Sequence, residues 1–203
     1  MITSLSAQNL IDFEEDIANE FNSGKIRAPV HLYSGNENEM LKIFTHIRPQ
    51  DWVLCSWRSH YQCLLKGVPP TELKAAILAG RSISLNFPEY RVFSSAIVTG
   101  VLPIAAGIGL SIKRDDKDEM VYCFLGDMTS ETGAFEESLK YVKKHHLPVK
   151  FIIEDNGKSV CTDTRKAWNM VNLTHEWDEN HNLYYYKYES KWPHAGANQR
   201  VQF

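Results

Sequence analysis

Between Val121 and Asn156 the hydrophobic period changes twice, and this alternation constrains the fold more than any other stretch. "MVYCFL" and "VKFIIE" are apolar runs bounded by turn residues, and between them "TGAFEESLKYVKKHH" carries the 3.6-residue period of an amphipathic helix. A strand near Val92 to Val98 and a helix from about Leu102 to Lys113 precede them. The rhythm β-α-β-α-β predicts an α/β fold with a mostly parallel sheet and helices on both faces.

Length arithmetic then locates two polar residues. The helix from Thr132 to His145 holds 14 residues and runs about 21 Å at 1.5 Å per residue. The strand from Val149 to Glu154 returns about 20 Å. Asp127 and Asn156 therefore fall at the carboxyl edge of adjacent parallel strands, where such sheets bind ligands. The start of the Thr132 helix reaches the same edge, and its free N–H groups favour an anion. A carboxylate and an amide oxygen in that setting suit Mg²⁺, with an anion's oxygens completing the octahedron. The pattern reads as a metal-bridged diphosphate site. The same residues also fit a purely structural reading, with Asp127 opening an Asx-turn and Asn156 capping a loop.

The rest of the chain bounds the answer. Leu10, Phe13, Ile17 and Phe21 predict an amphipathic helix stopped by Gly24, and Met40, Ile43, Phe44 and Ile47 a second one. "DWVLCS" reads as a buried strand, Thr71 to Ala79 as a helix ending at Gly80, and "LYYYKYES" as a last strand whose Lys187 and Lys191 suit a sheet edge. With 203 residues the default is one domain, 1–203. A formal charge of −3 and a pI near 6.2 give no basic field for nucleic acid or an anionic membrane. The tail interleaves aromatics with Lys187, Lys191 and Arg200, and in that context reads as an edge strand and partner-contacting terminus rather than a base-stacking surface.

Cys55, Cys63, Cys123 and Cys161 form no CxxC pair and read as reduced structural thiols, which favours the cytoplasm. The polar, then acidic start reads as neither a signal peptide nor a basic presequence. Phe93 to Ile112 is uncharged over 20 residues, but Pro103, Gly100, Gly107, Gly109 and several Ser and Thr make it core rather than a membrane span.

"GDM" at 126–128 and "EDN" at 154–156 resemble the thiamine diphosphate motif that runs from Gly-Asp-Gly to Asn-Asn. "HLYSGNE" (31–37), "WRSH" (57–60), "KGVPP" (66–70), "AIVTGVLPIAAGIGLSIK" (96–113) and "LPVKFIIEDN" (147–156) follow in the order of the alpha subunit of 2-oxo acid and acetoin dehydrogenases, in the transketolase-like superfamily. The chain is similar to that family over roughly residues 28 to 165, with 1–27 as a helical extension and 166–203 as a divergent C-terminal segment.

The resemblance implies the diphosphate-binding domain of the thiamine diphosphate-binding fold. It implies Mg²⁺ ligation by the side chains of Asp127 and Asn156 and the backbone carbonyl of Lys158, and diphosphate contacts from Trp57, Arg58 and the backbone of Gly126 and Met128. It further implies that Ala96 and Val98 meet the aminopyrimidine through backbone groups and that His31 and His60 face the reacting end. The glutamate that activates the coenzyme comes in this family from a beta-type subunit. The implied assembly is an α2β2 heterotetramer or a homodimer acting on a 2-oxo acid or ketol.

Three departures stand out. Met128 replaces a glycine and Asp155 replaces an asparagine. The stretch 80–95 is too short for the family's Gly-rich loop with its histidine, and the chain continues only briefly past the metal motif, leaving His175, His181 and His194 in the divergent tail. A transketolase-like ketol transfer subunit and a non-catalytic interaction module are the competing readings.

Overall fold

The computed structural model describes residues 5–176, 178 and 181–198. In chain order come helices α1 (Ala7–Asn22) and α2 (Glu37–Phe44), strand β1 (Trp52–Cys55), helices α3 (His60–Leu65) and α4 (Pro70–Leu78), and strands β2 (Asn86–Phe87) and β3 (Val92–Ser94). Then follow helix α5 (Val101–Arg114), strand β4 (Val121–Gly126), helices α6 (Asp127–Ser130) and α7 (Gly133–Lys144), and strand β5 (Val149–Asp155). Strands β6 (Lys158–Ser159) and β7 (Thr162–Asp163), helix α8 (Thr164–Ala167) and strand β8 (Leu183–Lys187) complete the described chain. Arg200 lies outside the described residues.

The chain divides into two compact units. The first takes the stretches up to Pro49, Trp57–Ser94 and from Glu189 on; the second takes Gln50–Ser56 and Ser95–Tyr188.

In the first unit α1 starts on a capping box, Ser6 Oγ accepting the Asn9 N–H while Asn9 Oδ1 accepts the Ser6 N–H. Its apolar face buries Leu10, Phe13 and Ile17, and in α2 Met40 and Ile43 are buried, as the spacing predicts. Tyr33 stacks on Tyr61 with ring centroids 4.8 Å apart. Helix α3 has no polar face because His60, Tyr61, Gln62, Cys63 and Leu64 are all buried. A helix buried all round shows no amphipathic period, which is why the sequence pattern passes over it. Strands β2 and β3 pair antiparallel around a 3₁₀ turn at Pro88–Tyr90.

In the second unit four strands pair in parallel in the order β1-β4-β5-β8. The α/β class and the mostly parallel sheet are as expected. Strand β5 is buried on both faces, with Phe151, Ile152 and Ile153 among the core residues, the pattern of a parallel strand. Phe135 of α7 meets Phe151 edge to face at 5.4 Å. A side chain at Gly109 of α5 would collide with Val149 Cγ2. Val149 and Phe151 point to one side of β5, so α5 and α7 share that face, and Gly109 is what lets α5 approach.

The strand expected from Val92 to Val98 is shorter. It ends at Ser94, and residues 96–100 turn through Thr99, which sits at φ 68°, before α5 begins. Helix α5 has 14 residues, and among the described residues no helix is long and apolar enough to cross a membrane. Strand β8 closes its end of the strand order, as Lys187 and Lys191 suggest.

Candidate functional site

Strands β4 and β5 are adjacent and parallel with Gly126 opposite Glu154. Asp127 and Asn156, each just past those strands, therefore lie at the same carboxyl edge, and α6 and α7 begin there as well. Thr132 caps α7, its hydroxyl accepting the Phe135 N–H at 3.3 Å. That edge brings together Gly126, Asp127, Met128, Asn156 and Lys158.

Asp127 opens α6 instead of an Asx-turn, and its backbone carbonyl accepts the Ser130 hydroxyl at 2.7 Å. Its side chain is 1% exposed, and one carboxylate oxygen accepts the hydroxyl of Thr164. Burial is the chief influence on this carboxyl and pushes its pKa up to about 6, against the Thr164 hydrogen bond, which pulls it down. Asn156 does form the Asx-turn, Oδ1 accepting the Lys158 N–H at 3.1 Å. A carboxylate offers about four lone-pair sites and an amide oxygen two. Both residues thus keep acceptor capacity after these contacts.

The two motif substitutions have a physical answer. Met128 lies in α6 and is absent from the left-handed residues, so a glycine is not required by its backbone. Its Sδ accepts the indole N–H of Trp168 at 3.0 Å. Asp155 is held by the Arg165 fork, Nη2 to Oδ2 at 2.7 Å and Nη1 to Oδ1 at 3.3 Å, by the Tyr185 hydroxyl and by the Gly157 N–H at 2.8 Å. Burial alone raises its pKa, but these hydrogen bonds outweigh it and hold the carboxyl below its ordinary value. The short 80–95 stretch folds as the β2-β3 hairpin. Next to Asp127, Gly126 faces open space: a side chain there would meet nothing within 4 Å.

Ala96 and Val98 belong to the same unit but sit in the exposed turn before α5, Val98 being 47% exposed.

The other expected residues belong to the first unit. His31 is buried, and its Nδ1 donates to the His194 carbonyl at 2.5 Å while the two rings meet edge to face at 4.5 Å. Burial and the nearby Arg58 charge push its pKa down to about 3. A carbonyl only accepts, so the proton is on Nδ1 and Nε2 is the acceptor nitrogen. Trp57 lies beside this pair, its ring centroid 5.9 Å from His31 and 6.1 Å from His194. Arg58 donates from Nε to the Leu32 carbonyl at 3.0 Å, and its guanidinium lies 5.7 Å from the centre of the Tyr33 ring.

His60 departs from the expectation that it faces the reacting end. It is 0% exposed, Nδ1 is 2.9 Å from Glu14 Oε2, and Nε2 is 2.9 Å from Ser82 Oγ. Both ring nitrogens are committed inside the core, and no face remains for a substrate. The Glu14–His60–Ser82 chain has the order of a nucleophilic triad, but all three members are buried. It acts as a brace.

Sequence reasoning missed Thr164, Arg165 and Trp168. The helix-start signal was present, since Asp163 caps α8 by accepting the Lys166 N–H at 2.8 Å. What those side chains reach is set by tertiary structure. Among the described residues no group of three or more His, Cys, Asp or Glu side chains is placed to hold a metal; the carboxyl-edge set differs in kind, with one acid, one amide and a backbone carbonyl.

These observations define an α/β protein with oxygen donors gathered at the carboxyl edge of a parallel sheet. The chain belongs to the dehydrogenase E1 component family, whose model matches residues 6–176. It is 32% identical over 161 residues to the alpha subunit of acetoin:2,6-dichlorophenolindophenol oxidoreductase from Cupriavidus necator, covering 74% of this chain and 48% of that protein. The Bacillus subtilis protein of the same description is 27% identical over 184 residues, 80% of this chain and 55% of that one. The pyruvate dehydrogenase E1 component subunit alpha of Porphyra purpurea is 27% identical over 162 residues, 71% and 47% respectively. The chain thus spans about half the length of these relatives.

Proposed function

We propose that this chain is the diphosphate-binding, alpha-type part of a two-component enzyme that decarboxylates a 2-oxo acid and transfers or oxidises the acyl unit. The observation that supports the reading is that Asp127 and Asn156 lie at one sheet edge, beside a glycine that opens on empty space. Hard oxygen donors with spare lone pairs fit Mg²⁺, and an uncrowded Gly126 leaves room for a diphosphate to approach the backbone.

On this reading the Asp127 and Asn156 side chains and the Lys158 carbonyl hold Mg²⁺, the backbone of Gly126 and Met128 lines the diphosphate, and Ala96 and Val98 present backbone groups to the aminopyrimidine. For Trp57, Arg58 and His31 the roles are those the family implies, diphosphate binding for the first two and the reacting end for His31. There His31 serves as a neutral group, since a pKa of about 3 leaves it uncharged at physiological pH. His60 has no direct part. Thiamine diphosphate, when bound, supplies the carbon nucleophile and electron sink that decarboxylation needs. A beta-type partner supplies the activating glutamate, in an α2β2 assembly or its homodimeric counterpart, in the cytoplasm.

The competing reading, a non-catalytic module keeping the fold, draws on Met128 and Asp155; the helical backbone of the first and the Arg165 fork on the second support the enzyme instead. Calorimetric titration of the full chain, alone and with its beta-type partner, tests the proposal. Thiamine diphosphate is expected to release saturable heat only with Mg²⁺ present, and Asp127→Ala to abolish it. Absence of heat in the parent, even with the partner, overturns the reading.

A further inference from the structure

Helix α8 is a single turn, and three of its side chains, counting the residue that caps it, contact the carboxyl edge. Thr164 reaches Asp127, Arg165 reaches Asp155, and Trp168 reaches Met128. The turn is fixed at both flanks: the Thr164 N–H donates to the Gly157 carbonyl at 3.1 Å, Lys158 and Asp163 pair across the β6-β7 hairpin, and the Met170 N–H donates to the Arg165 carbonyl at 2.9 Å.

The charges around Arg165 balance. Its Nη2 also lies 2.9 Å from Glu176 Oε2, and Lys187 pairs with the other Glu176 oxygen. Two acids, Asp155 and Glu176, thus face two bases, Arg165 and Lys187. Remove Arg165, and among the described residues the Asp155 side chain keeps the Tyr185 hydroxyl and the Gly157 N–H. An unmatched charge then sits buried one residue from Asn156, at an edge that must admit an anion.

We infer that Arg165 is a positioning residue that cancels the charge of Asp155, so that a strand end carrying an acid still accepts a metal-bound diphosphate. This rests on the proposed function and adds a residue to it. The guanidinium does not contact the coenzyme; it acts through Asp155, and α8 is the element that delivers it. The neighbouring contacts of Thr164 and Trp168 come from the same turn, so one short segment adapts the edge at three points.

A rescue experiment on the full chain separates this role from a merely structural one. In calorimetry with thiamine diphosphate and Mg²⁺, Arg165→Gln is expected to weaken binding at least about tenfold, the size of a coupled pair. Adding Asp155→Asn removes the charge that Arg165 answers, and the double variant is expected to return to within about threefold of the parent. Binding in the parent with Arg165→Gln unaffected, or with the double variant as weak as the single, overturns the inference and leaves the proposed function standing. No binding in the parent overturns both. If Arg165→Gln alone does not fold, the double variant decides: parent-like affinity supports the inference, and a tenfold loss overturns it.

Discussion

Replacing Glu14 by alanine is expected to cost about 2–6 kcal/mol of stability, because two buried hydrogen-bond partners lose their acceptor at about 1–3 kcal/mol each. Glu14 is 1% exposed, its Oε1 accepts the Tyr33 N–H at 3.0 Å, and its Oε2 lies 2.9 Å from His60. Alanine leaves a backbone donor and an imidazole nitrogen buried without that acceptor. For a protein of this size such a loss lowers the melting temperature by roughly 10 °C. Thermal unfolding of Glu14→Ala and His60→Ala reads the brace directly. A His60 that touched substrate would instead lose turnover at an unchanged melting temperature, and that outcome refutes the structural role.

Asp127→Asn is expected to stabilise the metal-free chain at alkaline pH while removing its response to Mg²⁺. The folded-state pKa of Asp127 is raised from 3.8 to about 6. Its contribution to stability is therefore fully present below the unfolded value and lost as pH rises through about 6. At pH 8 the buried charge costs on the order of 2–3 kcal/mol, because a tenfold change in proton affinity between the folded and unfolded states is worth about 1.4 kcal/mol. An amide in its place carries no such cost and still accepts from Thr164. Urea unfolding in metal-free buffer is expected to show Asp127→Asn more stable than the parent at pH 8 and similar near pH 4. Equal stability at pH 8 contradicts the burial argument. A residue that weakens the empty fold in this way fits the proposed cation site.

The parallel strands and α7 were legible because their periods are undisturbed: Val121–Gly126 and Val149–Asp155 are apolar runs, and the Phe135, Leu139, Val142 face of α7 repeats at helical spacing. Cancelling the helix and strand lengths then placed Asp127 and Asn156 without further information. Where the pattern failed, local signals were weak or were overruled by burial. Helix α3 lacks a polar face, the strands of both hairpins are at most three residues long, and the turn at 96–100 depends on a threonine at positive φ. His60 was misplaced for a related reason: its sequence neighbours mark the motif, but Glu14 and Ser82 set its surroundings from positions 46 and 22 residues away. Arg165 was invisible in the same way, its meaning lying wholly in its contact with Asp155.

Crystals of the full chain grown with thiamine diphosphate and Mn²⁺ give the most direct measurement, because the manganese anomalous signal locates the cation independently of the refined side chains. One peak is expected at the ends of β4 and β5, with an Asp127 carboxylate oxygen and the Asn156 amide oxygen both about 2.1–2.2 Å from it and diphosphate oxygens completing the shell. A peak elsewhere, or a bound coenzyme whose cation is held without Asp127 and Asn156, contradicts it.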